Sequence, residues 1–102
     1  MNKEKFYKDY YLMKGNYSYG GRTSLSLENE GESFCHITIN IPNIMLEDEE
    51  TDIILNGDLG EYATMFEDMG LYKILNVIQY NWGRYYIARL NMEVLKKYAI
   101  EY

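Results

Sequence analysis

Two adjacent residues have the side chains of a nucleophile and its base, Cys35 and His36. A cysteine nucleophile needs its thiol within hydrogen-bonding distance of the activating imidazole. The pair falls in the alternating run "SFCHITINI", residues 33–41, which predicts a β-strand. Neighbouring side chains on a strand point to opposite faces, so we expect no dyad. We predict a buried structural cysteine, a surface histidine and no enzymatic activity.

Metal and cofactor sites find no support in the residue pattern either. With one cysteine and one histidine, the chain lacks the ligands of the usual zinc sites. The acidic run at 47–52 lacks the spacing and central glycine of a calcium-binding EF-hand loop. The glycines of "GNYSYGG" match neither a phosphate-binding loop nor a dinucleotide fingerprint. We therefore predict no cofactor and no metal.

Acidic residues are the distinctive chemical feature of the sequence. Five of the six positions 47–52 are Glu or Asp, and three more acids surround Gly31. These eight are the candidate partner-binding residues: Glu47, Asp48, Glu49, Glu50, Asp52, Glu28, Glu30 and Glu32. A fixed array of carboxylates imitates the charge of a nucleic-acid backbone, and it steers association with clefts rich in Lys and Arg.

The charges are also unevenly distributed along the chain. Residues 1–22 and residues 71–102 each sum to +3, residues 23–70 sum to −12, and the whole chain carries −6. This balance opposes direct binding of nucleic acid, because phosphate recognition needs a basic surface. Two explanations of the acidic block stay open. It keeps a small domain soluble, or it attracts a basic partner.

The elements that must position these acids are predicted to be mainly strands. Alternation and turn residues predict strands over 5–13, 23–30, 33–41, 52–55, 71–80 and 85–90. Gly31 predicts the tight turn of a β-hairpin, and Pro42 ends its second strand.

Two helices complete the prediction. Apolar residues at helical spacing predict one helix over 59–69, with Asp58 and Glu61 as its capping box. A second helix is predicted to begin at Asn91. We therefore expect a single α+β domain over residues 1–102. It would hold a mostly antiparallel sheet of about five or six strands with one or two helices.

Length and cysteine content indicate the compartment. A chain of 102 residues can build one ordinary core. Its lone cysteine allows no internal disulfide, which favours a reducing cytoplasm. No apolar run has the length of a signal peptide or of a membrane span, so we expect no membrane association.

One stretch resembles a known family. The run "GRTSLSLENEGESFCHITINIPNIML", residues 21–46, resembles a family of small uncharacterised domains carried on conjugative elements and plasmids of low-GC bacteria. The similarity rests on Gly21, Arg22, Leu25, Leu27, Gly31, Glu32, Thr38, Ile39, Asn40, Ile41 and Pro42. The resemblance implies a mobile-element context, in which small acidic inhibitors of host defence, including anti-CRISPR proteins, occur. It transfers no catalytic residue.

Charge and resemblance together predict an inhibitor. We expect a small acidic protein from a phage or mobile element that binds a basic nucleic-acid-handling defence protein, a CRISPR effector nuclease above all. It would block the nucleic-acid-binding surface of that partner. The alternative is a non-catalytic structural or accessory protein of a mobile element. That protein would self-associate through its aromatic strands, as a homodimer for example, and its acids would only keep it soluble.

Overall fold

Residues 3–102, which the structure describes, form two β-sheets and two α-helices. The structure is a computed structural model. The strands are β1 (Tyr11–Asn16), β2 (Thr23–Asn29), β3 (Glu32–His36), β4 (Asp52–Ile54), β5 (Tyr72–Tyr80), β6 (Gly83–Leu90) and β7 (Ile100–Glu101). The helices are α1 (Tyr62–Asp68) and α2 (Met92–Tyr98), and a short 3-10 helix at Gly57–Leu59 precedes α1. The predicted α+β class is confirmed.

The strands of this described range divide between two sheets, where the sequence predicted one. The first sheet has the order β3-β2-β1-β7, and all its pairs are antiparallel except β1 with β7. The second has the order β4-β6-β5 and is antiparallel throughout. Strand β5 therefore has one edge without a neighbouring strand of the sheet.

The division into two sheets occurs just after β3, within the predicted strand 33–41. The Ile37 amide still donates to the Leu25 carbonyl in β2, at 2.9 Å. Two residues later, the Ile39 amide donates to the Ile54 carbonyl in β4, at 3.0 Å. One extended segment thus leaves the first sheet and joins the second.

The N-terminal region differs from its prediction as a strand over 5–13. Tyr7 and Tyr10 close a tight turn in which Lys8 has a φ of 51°, and β1 begins only at Tyr11. Phe6 explains the difference, because it is buried in the core against the Phe66 ring, with 6.1 Å between ring centroids. Phe6, Tyr7 and Tyr10 pack on rings of both helices and of β3, and do not extend the strand.

Both predicted helices form, but only one has its predicted cap. Asn91 caps α2, because its side-chain oxygen accepts the amide hydrogens of Glu93 and Val94. The predicted capping box of the first helix was wrong. Asp58 lies inside the 3-10 helix, which Asn56 caps, and Glu61 makes no side-chain cap at the start of α1.

The core lies between the helices and both sheets. Its largest fully buried side chains are Phe66, Leu12, Leu25, Leu27, Ile37, Ile53, Ile54, Leu55 and Leu71. A smaller apolar cluster joins Ile44 and Leu46 to Ile54 and Ile87, and it anchors the loop before β4 on the second sheet. No helix of the described range is long and apolar enough to cross a membrane.

Candidate protein-interaction surface

Five candidate acids lie at the end of the loop that enters β4. We call residues 44–52 the acidic loop. Glu47, Asp48, Glu49 and Glu50 are exposed, whereas Asp52 begins β4 and is only 1% exposed. The buried Ile44 and Leu46 fix the start of the loop, and β4 fixes its end. The loop therefore has an irregular backbone that is anchored at both ends.

Arg22 fixes the middle of the acidic loop from the protein interior. This arginine is buried just before β2, and its Nε and Nη2 donate to the Glu49 carboxylate at 2.7 and 3.1 Å. It also donates to the carbonyl oxygens of Ile41 and Ile44, at 3.1 and 2.7 Å. The hydrogen bond from Arg22 holds the pKa of Glu49 below its ordinary value. Glu49 is thus a structural partner of the arginine as well as a surface acid.

Arg89 neutralises Asp52 in the same way. Its Nε and Nη2 donate to the two carboxylate oxygens at 2.7 and 3.0 Å, and Asp52 also accepts the Asp48 amide at 3.1 Å. Because Asp52 is buried and fully paired, it cannot contact a partner, and the structure removes it from the predicted set. Glu47 reaches Arg89 only at 3.5 Å and stays almost fully exposed.

Asp48 shapes the tip of the acidic loop. Its carboxylate accepts the amide hydrogens of Glu50 and Thr51, at 3.0 and 3.3 Å. The bond from Glu50 is the main reason that the pKa of Asp48 lies below its ordinary value. The Asp48 charge is therefore present at neutral pH and is held in one position by the backbone around it.

The net charge of the acidic loop is smaller than its sequence indicates. Three of its five carboxylates, those of Glu47, Glu49 and Asp52, contact two guanidinium groups, so the loop and the two arginines together carry a local charge of −3. The acids that offer a free or nearly free carboxylate are Glu47, Asp48 and Glu50. These three are the acids of the loop that a partner could contact directly.

The second predicted group, at the β2–β3 turn, lies away from the acidic loop. Arg22 precedes β2 and Glu30 follows it, so the strand separates the two groups by on the order of 20 Å. Glu30 is exposed at the tip of the turn, with a φ of 51°. Glu32 accepts a hydrogen bond from the Tyr10 hydroxyl at 3.1 Å. The eight candidate acids therefore form two separate groups.

Glu28 is the least available acid of the second group. Its carboxylate accepts hydrogen bonds from the hydroxyls of Ser26, at 2.6 Å, and Tyr102. The bond from Ser26, followed by that from Tyr102, holds the pKa of Glu28 below its ordinary value. Glu28 thus helps to attach the C-terminal residues to the first sheet, and only Glu30 and Glu32 present their carboxylates at the turn.

Cys35 and His36 do not form a reactive pair. Both border a cavity of about 360 Å³, which strand alternation did not predict, but no hydrogen bond joins their side chains among the described residues. Burial raises the pKa of the Cys35 thiol to about 11, so it is protonated at neutral pH. Within residues 3–102, no three His, Cys, Asp or Glu side chains are arranged to hold a metal ion.

The β5–β6 hairpin is a surface that the sequence reasoning missed. Val77 and Tyr86 face each other across the two strands and are both exposed, and Trp82 at the turn is fully exposed. We call these three residues the hairpin patch. Residues 71–92 contain Lys73, Arg84 and Arg89 but no acid. The sequence signal for this surface was the predicted strand 71–80, in which apolar residues occur on both faces.

Comparisons with known proteins found no relative of this chain. The chain matches no family model, no curated protein and no solved structure.

Proposed function

We propose that this chain is a small acidic inhibitor from a phage or mobile element, without enzymatic activity. It acts in the cytoplasm of a bacterial host. It binds a basic nucleic-acid-handling defence protein, a CRISPR effector nuclease in our proposal, and covers the surface where that protein binds nucleic acid. The observation that carries the proposal is the acidic loop, which exposes Glu47, Asp48 and Glu50 and is fixed through Glu49 and Asp52 by two arginines.

Rigidity is what makes the acidic loop suited to this role. A flexible acidic segment loses conformational entropy when it binds, whereas a loop already fixed by Arg22 and Asp48 loses less. The exposed charges of Glu47, Asp48 and Glu50 would attract a cleft lined by Lys and Arg. The resemblance of residues 21–46 to domains of mobile elements supports the same partner class.

Charge reversal that spares the fold tests this proposal. We would compare wild type with the double variant Glu47→Lys/Glu50→Lys, leaving Glu49 intact because it pairs with Arg22. Binding to purified CRISPR effector nucleases, with and without guide RNA, would be measured over a salt series. We expect the variant to bind at least about tenfold more weakly at low salt, and the difference to shrink as salt screens the contact.

A matched control distinguishes the effect of charge in the acidic loop from the effect of the total charge of the protein. Glu4→Lys/Asp68→Lys changes the total charge equally at two exposed acids outside the acidic loop, for which no hydrogen bond is described. We expect its affinity to stay near that of wild type. If both double variants bind equally weakly, net charge alone explains the effect and the acidic loop is not the binding site. If wild type binds no effector, CRISPR effector nucleases are not the partners.

A second function has its own observation, the hairpin patch. An exposed Trp beside exposed apolar strand residues is typical of a protein interface. We propose as the alternative a non-catalytic accessory protein of a mobile element that self-associates through this hairpin. Sizing chromatography with light scattering would show a dimer that Val77→Ser/Tyr86→Ser converts to a monomer. A wild-type monomer at high concentration would argue against this alternative.

A further inference from the structure

The two ends of the described chain border an open surface cavity that is basic, although the protein as a whole is acidic. The cavity measures about 490 Å³ and lies between the N-terminal segment, β1, helix α2 and β7. Lys3, Lys14 and Lys96 border it, with one acid, Glu101. This arrangement gives the cavity a local charge of +2 in a chain of −6. Lys14 and Lys96 converge because β7, which follows α2, pairs with β1, and Lys3 donates a hydrogen bond to the Lys96 carbonyl.

The apolar part of the cavity comes mainly from helix α2 and the residue after it. Met92, Leu95 and Ala99 line this part. Leu95 belongs to the core, whereas Met92 is about half exposed. The cavity therefore combines an apolar wall with cationic side chains, and its volume lies within the usual range for small-molecule sites, about 300–1,000 Å³.

Lys14 makes only a long ion pair at this site. Its side chain is only 19% exposed, yet the nearest carboxylate oxygen described, on Glu101, is 3.9 Å from its Nζ. An anion closer to Nζ would interact with this ammonium group more strongly. Lys3 donates one hydrogen bond, at 2.6 Å, to the Lys96 carbonyl, and an ammonium has two further hydrogens to donate.

We propose that this cavity binds an anionic amphiphile, a small molecule with a carboxylate or phosphate head on an apolar chain. The head would lie among the ammonium groups of Lys3, Lys14 and Lys96. The chain would pack on Met92 and Ala99. This site is separate from the acidic loop and does not depend on the proposed inhibitor function.

Calorimetric titration with four probes tests the site, all below their micellar concentrations. Decanoate and decyl phosphate supply the two possible heads on the same chain, and the tighter of them identifies the preferred head. Decyltrimethylammonium has the chain with the opposite charge, and inorganic phosphate has no chain. We expect one of the two anionic amphiphiles to bind at least about tenfold more tightly than either of the other probes.

Lys96→Gln is the main variant, because its carbonyl can still accept the bond from Lys3. Lys97→Gln is its matched control on the same helix. Lys97 lies over the Tyr98 ring at 5.3 Å and does not border the cavity. We expect Lys96→Gln to weaken binding of the anionic amphiphile about tenfold and Lys97→Gln to leave its affinity unchanged.

Specific outcomes would overturn the proposal. Equal affinity for the cationic and anionic amphiphiles would show apolar adsorption only, and equal weakening in the two variants would show a net-charge effect. No binding of any probe to the folded wild type would also reject the site. A shift from oligomer to monomer in Lys96→Gln, without ligand binding, would assign the cavity to the acidic surface of a second copy.

Discussion

The acidic loop and the β5–β6 hairpin use their charged residues in opposite ways. The loop has little regular structure, yet two arginines reach it from elsewhere in the fold and fix its carboxylates. The hairpin has regular strand pairing, yet its Arg84 is exposed and has no ion pair among the described residues. Much of the charge in the loop therefore stabilises the fold, while the exposed apolar residues of the hairpin do not. The hairpin patch is consequently free to serve a partner.

The substitution with the largest expected effect on stability replaces Arg22. We expect Arg22→Met to lower the free energy of unfolding by about 3 kcal/mol, because it leaves two carbonyls and Glu49 without their buried donor. Urea denaturation measures the change. Arg84→Met in the hairpin is the control and should stay within about 0.5 kcal/mol. Equal losses of unfolding free energy in the two variants would contradict the difference between the acidic loop and the hairpin.

Asp52 offers a second, smaller test within the acidic loop. We expect Asp52→Asn to cost about 2 kcal/mol, because a buried carboxylate with two bonds to Arg89 is replaced by an amide. Glu47→Gln removes a longer contact to the same arginine at an exposed side chain and should cost less than about 0.5 kcal/mol. If both substitutions cost the same, Asp52 is not the partner that holds Arg89.

Acid should destabilise the fold through the acidic loop, whereas the hairpin contains no acid that could contribute. The pKa of Glu49 and that of Asp48 are lower in the folded chain than their ordinary values of 4.5 and 3.8. Protonation therefore favours the unfolded chain. Their contribution is complete above these ordinary values and is lost as the pH falls through the lower folded values. Unfolding at a series of pH values should show this loss, and Arg22→Met should reduce the part due to Glu49.

The smallest expected effect lies at the hairpin turn. Trp82 is fully exposed, so Trp82→Ser should change the free energy of unfolding by no more than about 0.5 kcal/mol. Urea denaturation with thermal unfolding would measure it. A loss above about 1 kcal/mol would show that the indole contributes to the fold, and the patch could no longer be assigned to binding alone.

Local signals in the sequence predicted some local features correctly, although not the cap of α1. Gly31 marked the β2–β3 turn and Asn91 marked the start of α2, because a turn or a cap depends on a few neighbouring residues. The exposure of the hairpin patch was not predictable in this way. Alternation shows which residues share a face of a strand, but it does not show whether another element covers that face.

The candidate surface was predictable only in part. The acidic block was evident from the sequence, but its neutralisation was not, because Arg22 and Arg89 lie 27 and 37 residues from Glu49 and Asp52. Tertiary pairing at that separation leaves no pattern in a single sequence. The same limit hid the division into two sheets, because the alternation of 33–41 continues unbroken across it.

The segment 37–39 has a consequence for how the protein opens. Its amides pair with β2 on one side and β4 on the other, and Ile37 is fully buried in the core that both sheets share. Neither sheet can separate from the other without breaking these bonds. The two sheets should therefore form one cooperative unit, and the amide hydrogens of Ile37 and Ile39 should exchange with solvent only through global unfolding.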